Sequence, residues 1–278
     1  MPGSLYLIAG PIGNLGDITV RGKQWLAELN CFFCEDTREL KKLFAGLGMD
    51  ASGKEMFSYA AHNLKSATDR AIEKLLSGTS VGFLSDRGTP GISDPGSLLC
   101  ALALQNGVTV VPVPGPSAVV SLLSVSGLNS DRFTFLGFLP RKESEKEVIW
   151  KQVEKNNWTF CFYESPERAQ GTLEELVARF PLSEIVIGRE LTKSHESVIR
   201  FSAKQGLPEF PARGEFVIAV APNIETRLSA SEQELGLENK IAERLASERE
   251  WAKIVAKQVG VAVSDVYNAL QKAKQIEP

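Results

Sequence analysis

The feature that most constrains this chain is a regular alternation of short apolar, β-type runs with amphipathic helical stretches. Residues 4–10 (SLYLIAG), 30–36 (NCFFCED) and 80–86 (SVGFLSD) have the pattern of strands, and a helical pattern follows each of them. Repeated strand–helix units build parallel sheets that are covered by helices. The sequence therefore predicts an α/β fold.

The alternation continues to about residue 222, but it is interrupted once. A proline-rich segment near 114–117 separates a first set of units from a second, in which the last strands have the pattern of antiparallel strands closing a mixed sheet. Beyond residue 222 the composition becomes helical, with apolar residues at helical spacing. We predict an N-terminal α/β domain over 1–115, a second α/β domain over 116–222, and a small helical C-terminal domain over 223–278.

Three loops rich in glycine or proline follow predicted strands, at residues 9–14 (AGPIGN), 85–96 (SDRGTPGISDPG) and 112–118 (PVPGPSA). In a parallel sheet such loops lie at the carboxyl ends of the strands, where ligands of α/β proteins bind. Glycine lets a backbone approach a ligand closely, and proline fixes the shape of a loop in advance. Each loop alone has the alternative interpretation of an ordinary turn. The three together favour a ligand site.

The chemical groups of these loops restrict the class of ligand that they can bind. Neither the P-loop pattern nor a strand–G-x-G-x-x-G–helix pattern is present in the sequence. The loops offer backbone N–H and C=O groups, with Asp86 and Asp94 as nearby carboxylates. This combination suits a zwitterionic, nucleoside-like ligand better than a polyanion.

Seven separated motifs then occur in one order: LYLIAGPIGNLGDITVR, CEDTRELKKL, SDRGTPGISDPG, VPVPGPSA, LGFLPRK, FYESPER and RELTKSHE. Together they resemble the RsmI-type 16S rRNA (cytidine-2′-O)-methyltransferases of the tetrapyrrole-methylase-like superfamily, from about Leu5 to Pro222. Three positions depart from the family pattern. Gly10 stands where threonine is usual, Arg87 where alanine is usual, and SPER replaces SPHR.

The resemblance implies two α/β domains of the tetrapyrrole-methylase type, with S-adenosylmethionine bound in the cleft between them, and a small C-terminal helical region. It also implies methylation of the ribose 2′-hydroxyl of a cytidine in the decoding region of 16S rRNA. The family's cofactor-binding positions correspond here to Ser85, Gly88, Thr89, Gly91, Ile92, Asp94, Gly115, Pro116 and Ser117.

A ribose hydroxyl is a weak nucleophile, so a positioned general base is expected. The EDTR motif ends a predicted strand, and we predict Asp36 as the base, with Glu35 as the second candidate. The alternative is that Glu35 and Arg38 form an ion pair that caps the following helix. Asp86 is a third carboxylate with a cofactor or turn role, and His62 is a further candidate for contact with the substrate.

The predicted partner is the small ribosomal subunit, although the net charge is −3, so RNA binding must depend on a local basic rim. We predict RNA contacts from Arg21, Arg38, Arg141, Lys142 and Lys193, chosen from a wider basic set that also includes Lys23, Lys41, Lys42, Arg168 and Arg189. Arg87 is expected to point away from the methyl donor, towards RNA or Asp94. The family is typically dimeric, so a cytoplasmic homodimer is expected.

A metal site and a membrane segment are not expected. The Cys31–Cys34 C-x-x-C lies in a predicted strand, where positions i and i+3 point to opposite faces, so a structural role is favoured over zinc or redox chemistry. No run approaches the roughly 20 apolar residues of a bilayer span. Two other functions remain open: methylation of a tetrapyrrole or other small molecule, and a non-catalytic ribosome-binding role.

Overall fold

The structure, a computed structural model, describes residues 1–222, 252–253, 256 and 262–274. The chain separates into two compact units, Met1–Asn223 and Ile224–Pro278. The first unit contains two five-stranded sheets, which confirms the predicted α/β fold with two layered halves. The division into three domains at residues 115 and 222 stays a prediction.

The first sheet is entirely parallel and has the order β3-β2-β4-β1-β5. Its elements, in chain order, are β1 (Ser4–Ile8), α1 (Val20–Glu28), β2 (Cys31–Cys34), α2 (Thr37–Gly46), β3 (Glu55–Ser58), α3 (Leu64–Leu76), β4 (Val81–Leu84), α4 (Gly96–Gln105) and β5 (Thr109–Val113). Because all five strands run the same way, their carboxyl ends meet at one edge. The strands β4, β1 and β5, which precede the three glycine-containing loops, are neighbours in this sheet.

Both faces of the first sheet are buried. Phe33, Phe83 and Cys31 pack on one face with α3 and α4, while Phe32 and Cys34 pack on the other with α1 and α2. The two cysteines thus point to opposite faces, as the strand pattern predicts. Continuous burial of Cys31–Cys34 and Val81–Leu84 explains why these strands are runs of apolar residues without alternation.

The second sheet is mixed and has the order β6-β7-β10-β8-β9. Its elements are α5 (Ala118–Ser126), β6 (Phe133–Phe138), α6 (Glu143–Asn156), β7 (Thr159–Glu164), α7 (Pro166–Arg179), β8 (Glu184–Arg189), β9 (Ser197–Ser202) and β10 (Phe216–Ala221). Strand β10 lies antiparallel between β7 and β8, and β9 is antiparallel to β8, which confirms the predicted closure. The carboxyl ends of β7 and β8 therefore meet the start of β10.

The second unit is described mainly in helix α8 (Val263–Lys274). This helix lies within the stretch that the sequence predicts to be helical, and the rest of that prediction falls outside the described residues. None of the helices in the described part of the chain has both the length and the apolar character needed to cross a bilayer.

Candidate active site

The three glycine-containing loops are joined directly by hydrogen bonds. The Gly10 amide donates to the Gly88 carbonyl at 2.9 Å, and the Thr89 hydroxyl donates to the Pro116 carbonyl at 3.2 Å. Strand β1 accordingly ends at Ile8, before the predicted residue 10, because the backbone of Gly10 turns towards the loop after β4. The predicted convergence of the loops at one sheet edge is confirmed.

The loop at residues 85–96 is held in shape by a carboxylate. Asp94 accepts hydrogen bonds from the amides of Gly91, at 2.8 and 2.9 Å, and of Gly96, at 2.7 Å. Gly88 and Gly91 have φ angles of +70° and +84°, a region that side chains with a Cβ rarely adopt. The density of glycine in this loop therefore follows from its backbone conformation.

A cavity of about 390 Å³ lies between these loops and the second sheet, and we call it the inter-sheet cavity. Of the predicted cofactor-binding residues, Ser85, Gly88, Thr89, Ile92, Asp94 and Ser117 line it. Gly91, Gly115 and Pro116 do not line it. They support it instead, since Gly91 holds Asp94, Gly115 packs against Ala9, and Pro116 accepts the hydrogen bond from Thr89.

The resemblance implied a cleft between two α/β domains, but sequence reasoning named no cofactor-binding residue on the opposite wall of this cavity. The wall comes from the cavity-facing ends of β6, β7, β8 and β10 and consists of Phe138, Tyr163, Glu164, Ser165, Pro166, Gly188, Leu191, Gly214, Glu215, Phe216 and Val217. Tyr163 lines the cavity, whereas its neighbour Phe162 is fully buried in the core. The available signal was the position of FYESP and RELTK at the ends of strands β7 and β8. A single sequence does not show which strand ends of the two sheets face each other.

Two carboxylates, those of Glu35 and Asp86, connect the neighbouring ends of β2 and β4. The Asp86 amide donates to Glu35 Oε1 at 3.0 Å, and the Asp36 amide donates to Asp86 Oδ1 at 3.0 Å. Each carboxylate thus fixes the backbone of the other loop. Burial raises the pKa of both Glu35 and Asp86 above the ordinary carboxyl range.

Asp36 differs from Glu35 in its hydrogen-bond partners, in the direction of its pKa shift and in its position relative to the inter-sheet cavity. Asp36 is the N-cap of α2, accepts from the Arg38 amide, and holds the Arg38 guanidinium at 2.6 Å. These hydrogen bonds with Arg38 lower the pKa of Asp36 to about 2. The ion pair at this helix start therefore joins Arg38 to Asp36, not to Glu35 as the capping alternative had it, and only Glu35 lines the inter-sheet cavity.

A second cavity, of about 280 Å³, lies on the other side of these carboxylates against helix α2, and we call it the α2 cavity. It is lined by Gly10, Pro11, Gly13, Leu15, Cys34, Asp36, Glu39, Leu40, Lys42, Leu43 and Leu84 together with Ser85, Asp86 and Arg87. The last three also line the inter-sheet cavity. The two cavities therefore share one wall, which is the start of the loop after β4.

The sequence profile of a family described as Tetrapyrrole (Corrin/Porphyrin) Methylases matches residues 4–205 of this chain, a span that contains both sheets' cavity-lining loops up to β9. The chain belongs to the tetrapyrrole methylase family.

One relative narrows this placement. Ribosomal RNA small subunit methyltransferase I of Halalkalibacterium halodurans is 35% identical over 278 aligned residues, which cover 96% of this chain and 94% of that protein. The chain therefore also belongs to this group of methyltransferases within the family.

Solved structures agree on the fold. A crystal structure of diphthine synthase superposes with a TM-score of 0.61 at 17% identity, covering 79% of this chain and 90% of that one. Uroporphyrin-III C-methyltransferase from Thermus thermophilus, complexed with S-adenosyl homocysteine, gives a TM-score of 0.53 at 17% identity, covering 78% of this chain and 97% of that one. At these identities the likeness concerns the fold alone.

The predicted RNA-binding residues of this tetrapyrrole methylase lie in different surroundings. Arg38, Arg141 and Lys142 are exposed on the surface, and Arg21 is exposed with its guanidinium donating to the Pro112 carbonyl. Lys193 is only 20% exposed and pairs with Glu190 and Glu215. All five therefore lie at or near the surface.

Two arginines lie elsewhere than the sequence suggests. Arg189, a member of the wider basic set, is buried and donates to the carbonyls of Arg213 and His195, so its role is structural. Arg87 does not turn to Asp94. Its Nε lies 2.9 Å from Glu215 Oε1, so it connects the first sheet's loop to the segment before β10. Of the two expected directions for Arg87, the one towards Asp94 was wrong, because Asp94 is already engaged by backbone amides, and the one towards RNA stays a prediction.

Among the described histidines and cysteines, Cys34 lines the α2 cavity and the others line neither cavity. His62 is exposed before α3 and lines a separate open groove between α3 and α4. Burial raises the pKa of Cys31 to about 11 and that of Cys34 to about 12, so neither thiol is poised to ionise. Among the described residues, no group of three or more His, Cys, Asp or Glu side chains is arranged to hold a metal ion.

Proposed function

We propose that this protein is an S-adenosylmethionine-dependent methyltransferase that methylates the ribose 2′-hydroxyl of a cytidine in the decoding region of 16S rRNA. The observation that carries the proposal is the 35% identity to a small-subunit rRNA methyltransferase over nearly the full length of both chains. The cytidine and its 2′-position come from the motif resemblance, and the cavity geometry supports a nucleoside-like ligand.

The residues of the inter-sheet cavity fit S-adenosylmethionine. Its volume of about 390 Å³ lies in the usual range for a ligand of that size. A Cβ on Gly88 would lie 3.2 Å from Ile12 Cγ2, so glycine keeps the cradle open. Ile12, Ile92 and Leu191 offer apolar walls for a purine, and the Glu35 and Asp86 carboxylates complement a sulfonium cation.

S-adenosylmethionine supplies an electrophilic methyl group, which the ribose oxygen accepts as the carbon–sulfur bond breaks. We assign Glu35 as the group that takes the hydroxyl proton. Its Oε1 is fixed by the Asp86 amide, and its raised pKa makes it a better base than a free carboxylate. We assign Asp36, the first candidate from the sequence, a positioning role at the start of α2, because its carboxylate is ion-paired with the Arg38 guanidinium.

The same proposal extends to the partners. Arg38, Arg141 and Lys142 offer exposed cations for RNA phosphates. Arg38 pairs with Asp36, Lys142 with Glu145 and Lys193 with Glu190, and Arg21 donates to the Pro112 carbonyl, so RNA would have to displace or share these partners. We further propose that the enzyme acts as a homodimer in the cytoplasm, where ribosomal subunits are found.

The test is to incubate the protein with methyl-labelled S-adenosylmethionine and small ribosomal subunits that lack the modification, then to map the label by nuclease digestion. We expect label on a cytidine ribose in the decoding region. Label on a base would contradict the 2′-hydroxyl assignment. Because the family is described as methylases of tetrapyrroles, a porphyrinoid substrate is tested in parallel. Label found only on the porphyrinoid would favour tetrapyrrole methylation as the function.

A further inference from the structure

The α2 cavity is placed where an acceptor nucleotide would have to sit. It shares Ser85, Asp86 and Arg87 with the inter-sheet cavity that fits the methyl donor. Its volume of about 280 Å³ is far too large for a packing defect and suits one nucleoside. Pro11, Leu40 and Leu43 give it apolar surface against which a base can lie.

The rim of this cavity carries an adjacent acceptor and donor on helix α2. Glu39 Oε1 accepts from Lys42 Nζ at 2.6 Å, and both residues line the cavity. Pairs at i and i+3 on a helix surface commonly serve only to stabilise the helix slightly. Here, however, the pair faces a concave site, and Glu39 and Lys42 keep exposed fractions of 45% and 73%, so both can accept further hydrogen bonds or donate them.

Glu39 is free for this role because another residue has taken its usual one. Asp36 and Glu39 form a D-x-x-E pattern, in which the glutamate would normally accept from the amide of the N-cap residue. That amide, of Asp36, donates to Asp86 Oδ1 instead. Within the described residues, Glu39 Oε2 makes no hydrogen bond, whereas the Asp36 carboxylate is held by Arg38 and that of Asp86 by the Asp36 amide.

The chemistry of the pair matches one pyrimidine and opposes the other. Cytosine presents a donor amino group at N4 beside an acceptor at N3, and carboxylates are the usual partners of that amino group. Glu39 would accept from N4, and Lys42 would donate to N3. Uracil presents the reverse pattern, with O4 facing the carboxylate and N3–H facing the ammonium, and unmatched polar groups are costly in a confined site.

We propose that Glu39 and Lys42 read the Watson–Crick edge of the acceptor base in the α2 cavity and select cytosine over uracil. The proposal rests on the proposed function, because it takes the acceptor to be a pyrimidine nucleotide of RNA. Single-stranded RNA bases are commonly recognised on this edge. The ribose would then project towards Asp86, at the wall that the two cavities share.

The experiment uses two fluorescent RNA oligonucleotides with the decoding-region sequence. They differ only at the nucleotide that accepts the methyl group, which is cytidine in one and uridine in the other. Their equilibrium binding to the full chain is measured by fluorescence anisotropy with S-adenosyl homocysteine present. We expect the wild-type protein to prefer cytidine by roughly tenfold or more. Glu39→Gln should reduce this preference severalfold, since an amide can accept from cytosine N4 or donate to uracil O4, and the preference that remains would come from Lys42.

Glu73→Gln on α3 is the matched control, an exposed helical glutamate remote from both cavities, and it should keep the wild-type preference. Unchanged discrimination by Glu39→Gln, or no preference in the wild type, would overturn the inference while leaving methyl transfer to small subunits intact. Absence of any methyl transfer to rRNA by the wild type, measured alongside, would instead remove the proposed function and this inference with it.

Discussion

The two sheets build opposite walls of one cavity, but they do so with different chemistry. The parallel sheet brings all its strand ends to one edge and places Glu35, Asp86 and Asp94 there on glycine-rich backbone. The mixed sheet contributes walls that are largely apolar, and its core holds the aromatic cluster around Trp150. In the parallel sheet, the shared strand direction brings the carboxylate-bearing loops together at one edge. The mixed sheet contributes a largely apolar cavity wall and a well-packed core.

The contrast predicts that changes at the parallel edge alter catalysis with little effect on stability. Glu35→Gln is expected to lower kcat by about 10²- to 10⁴-fold, the usual loss when a general base is removed, with cofactor affinity within about threefold of wild type. The measurement is single-turnover methyl transfer on small subunits, together with calorimetric binding of S-adenosyl homocysteine. Equal losses in kcat and cofactor affinity would show that Glu35 shapes the cavity and does not accept the proton.

The pH profile separates Glu35 from its neighbour. A base must be ionised, so the wild-type rate should rise with pH through a pKa above the ordinary carboxyl range, because burial raises the pKa of Glu35. Asp36, whose pKa is lowered to about 2 by Arg38, is ionised throughout that window. Asp36→Asn should therefore keep the position of this limb and lose mainly the ion pair with Arg38, because asparagine caps a helix about as well as aspartate.

How far the sequence predicted this edge follows from the range of the interactions. The strands and the loops that follow them can be predicted from local signals, since glycine and proline after an apolar run mark the carboxyl end of a strand. The meeting of these loops at one edge then follows from the parallel direction of the strands. The role of Asp36 was also readable, because an aspartate directly before a helical pattern predicts an N-cap. An N-cap role does not decide between Asp36 and Glu35 as the base, and that choice stays a prediction until kcat is measured.

The remaining features depend on tertiary neighbours that one sequence does not reveal. Arg189 has the same local appearance as an exposed strand-end arginine, yet two backbone carbonyls hold it inside. Arg87 meets Glu215, a residue 128 positions away by their numbers in the sequence. Likewise, Tyr163 and Leu191 reach the cavity only because β10 pairs with both β7 and β8.

The mixed sheet should respond in the opposite way. Leu173 on α7 is fully buried in its core, so Leu173→Ala is expected to lower the free energy of unfolding by about 2–5 kcal/mol. Below the unfolding transition its kcat should stay within about twofold of wild type, because Leu173 touches neither cavity. Denaturant unfolding gives the first quantity. Leu104→Ala, at a 59% exposed leucine of α4, is the control and should change stability by less than about 0.5 kcal/mol.

The smallest effect is expected where the two sheets meet, at the Arg87–Glu215 pair. Both side chains are about half exposed, and such ion pairs contribute about 0–1 kcal/mol and weaken with salt. S-adenosyl homocysteine lacks the positive charge that S-adenosylmethionine carries on its sulfur. If the pair only holds the cavity walls together, Arg87→Ala should weaken the binding of both ligands equally, by about two- to fivefold at low salt. If the arginine's charge instead opposes the sulfonium, the substitution should favour S-adenosylmethionine over its product. Because Glu215 neutralises Arg87 at 2.9 Å, and Lys193 in turn pairs with Glu215, we expect the equal loss, and calorimetry with both ligands distinguishes the two outcomes.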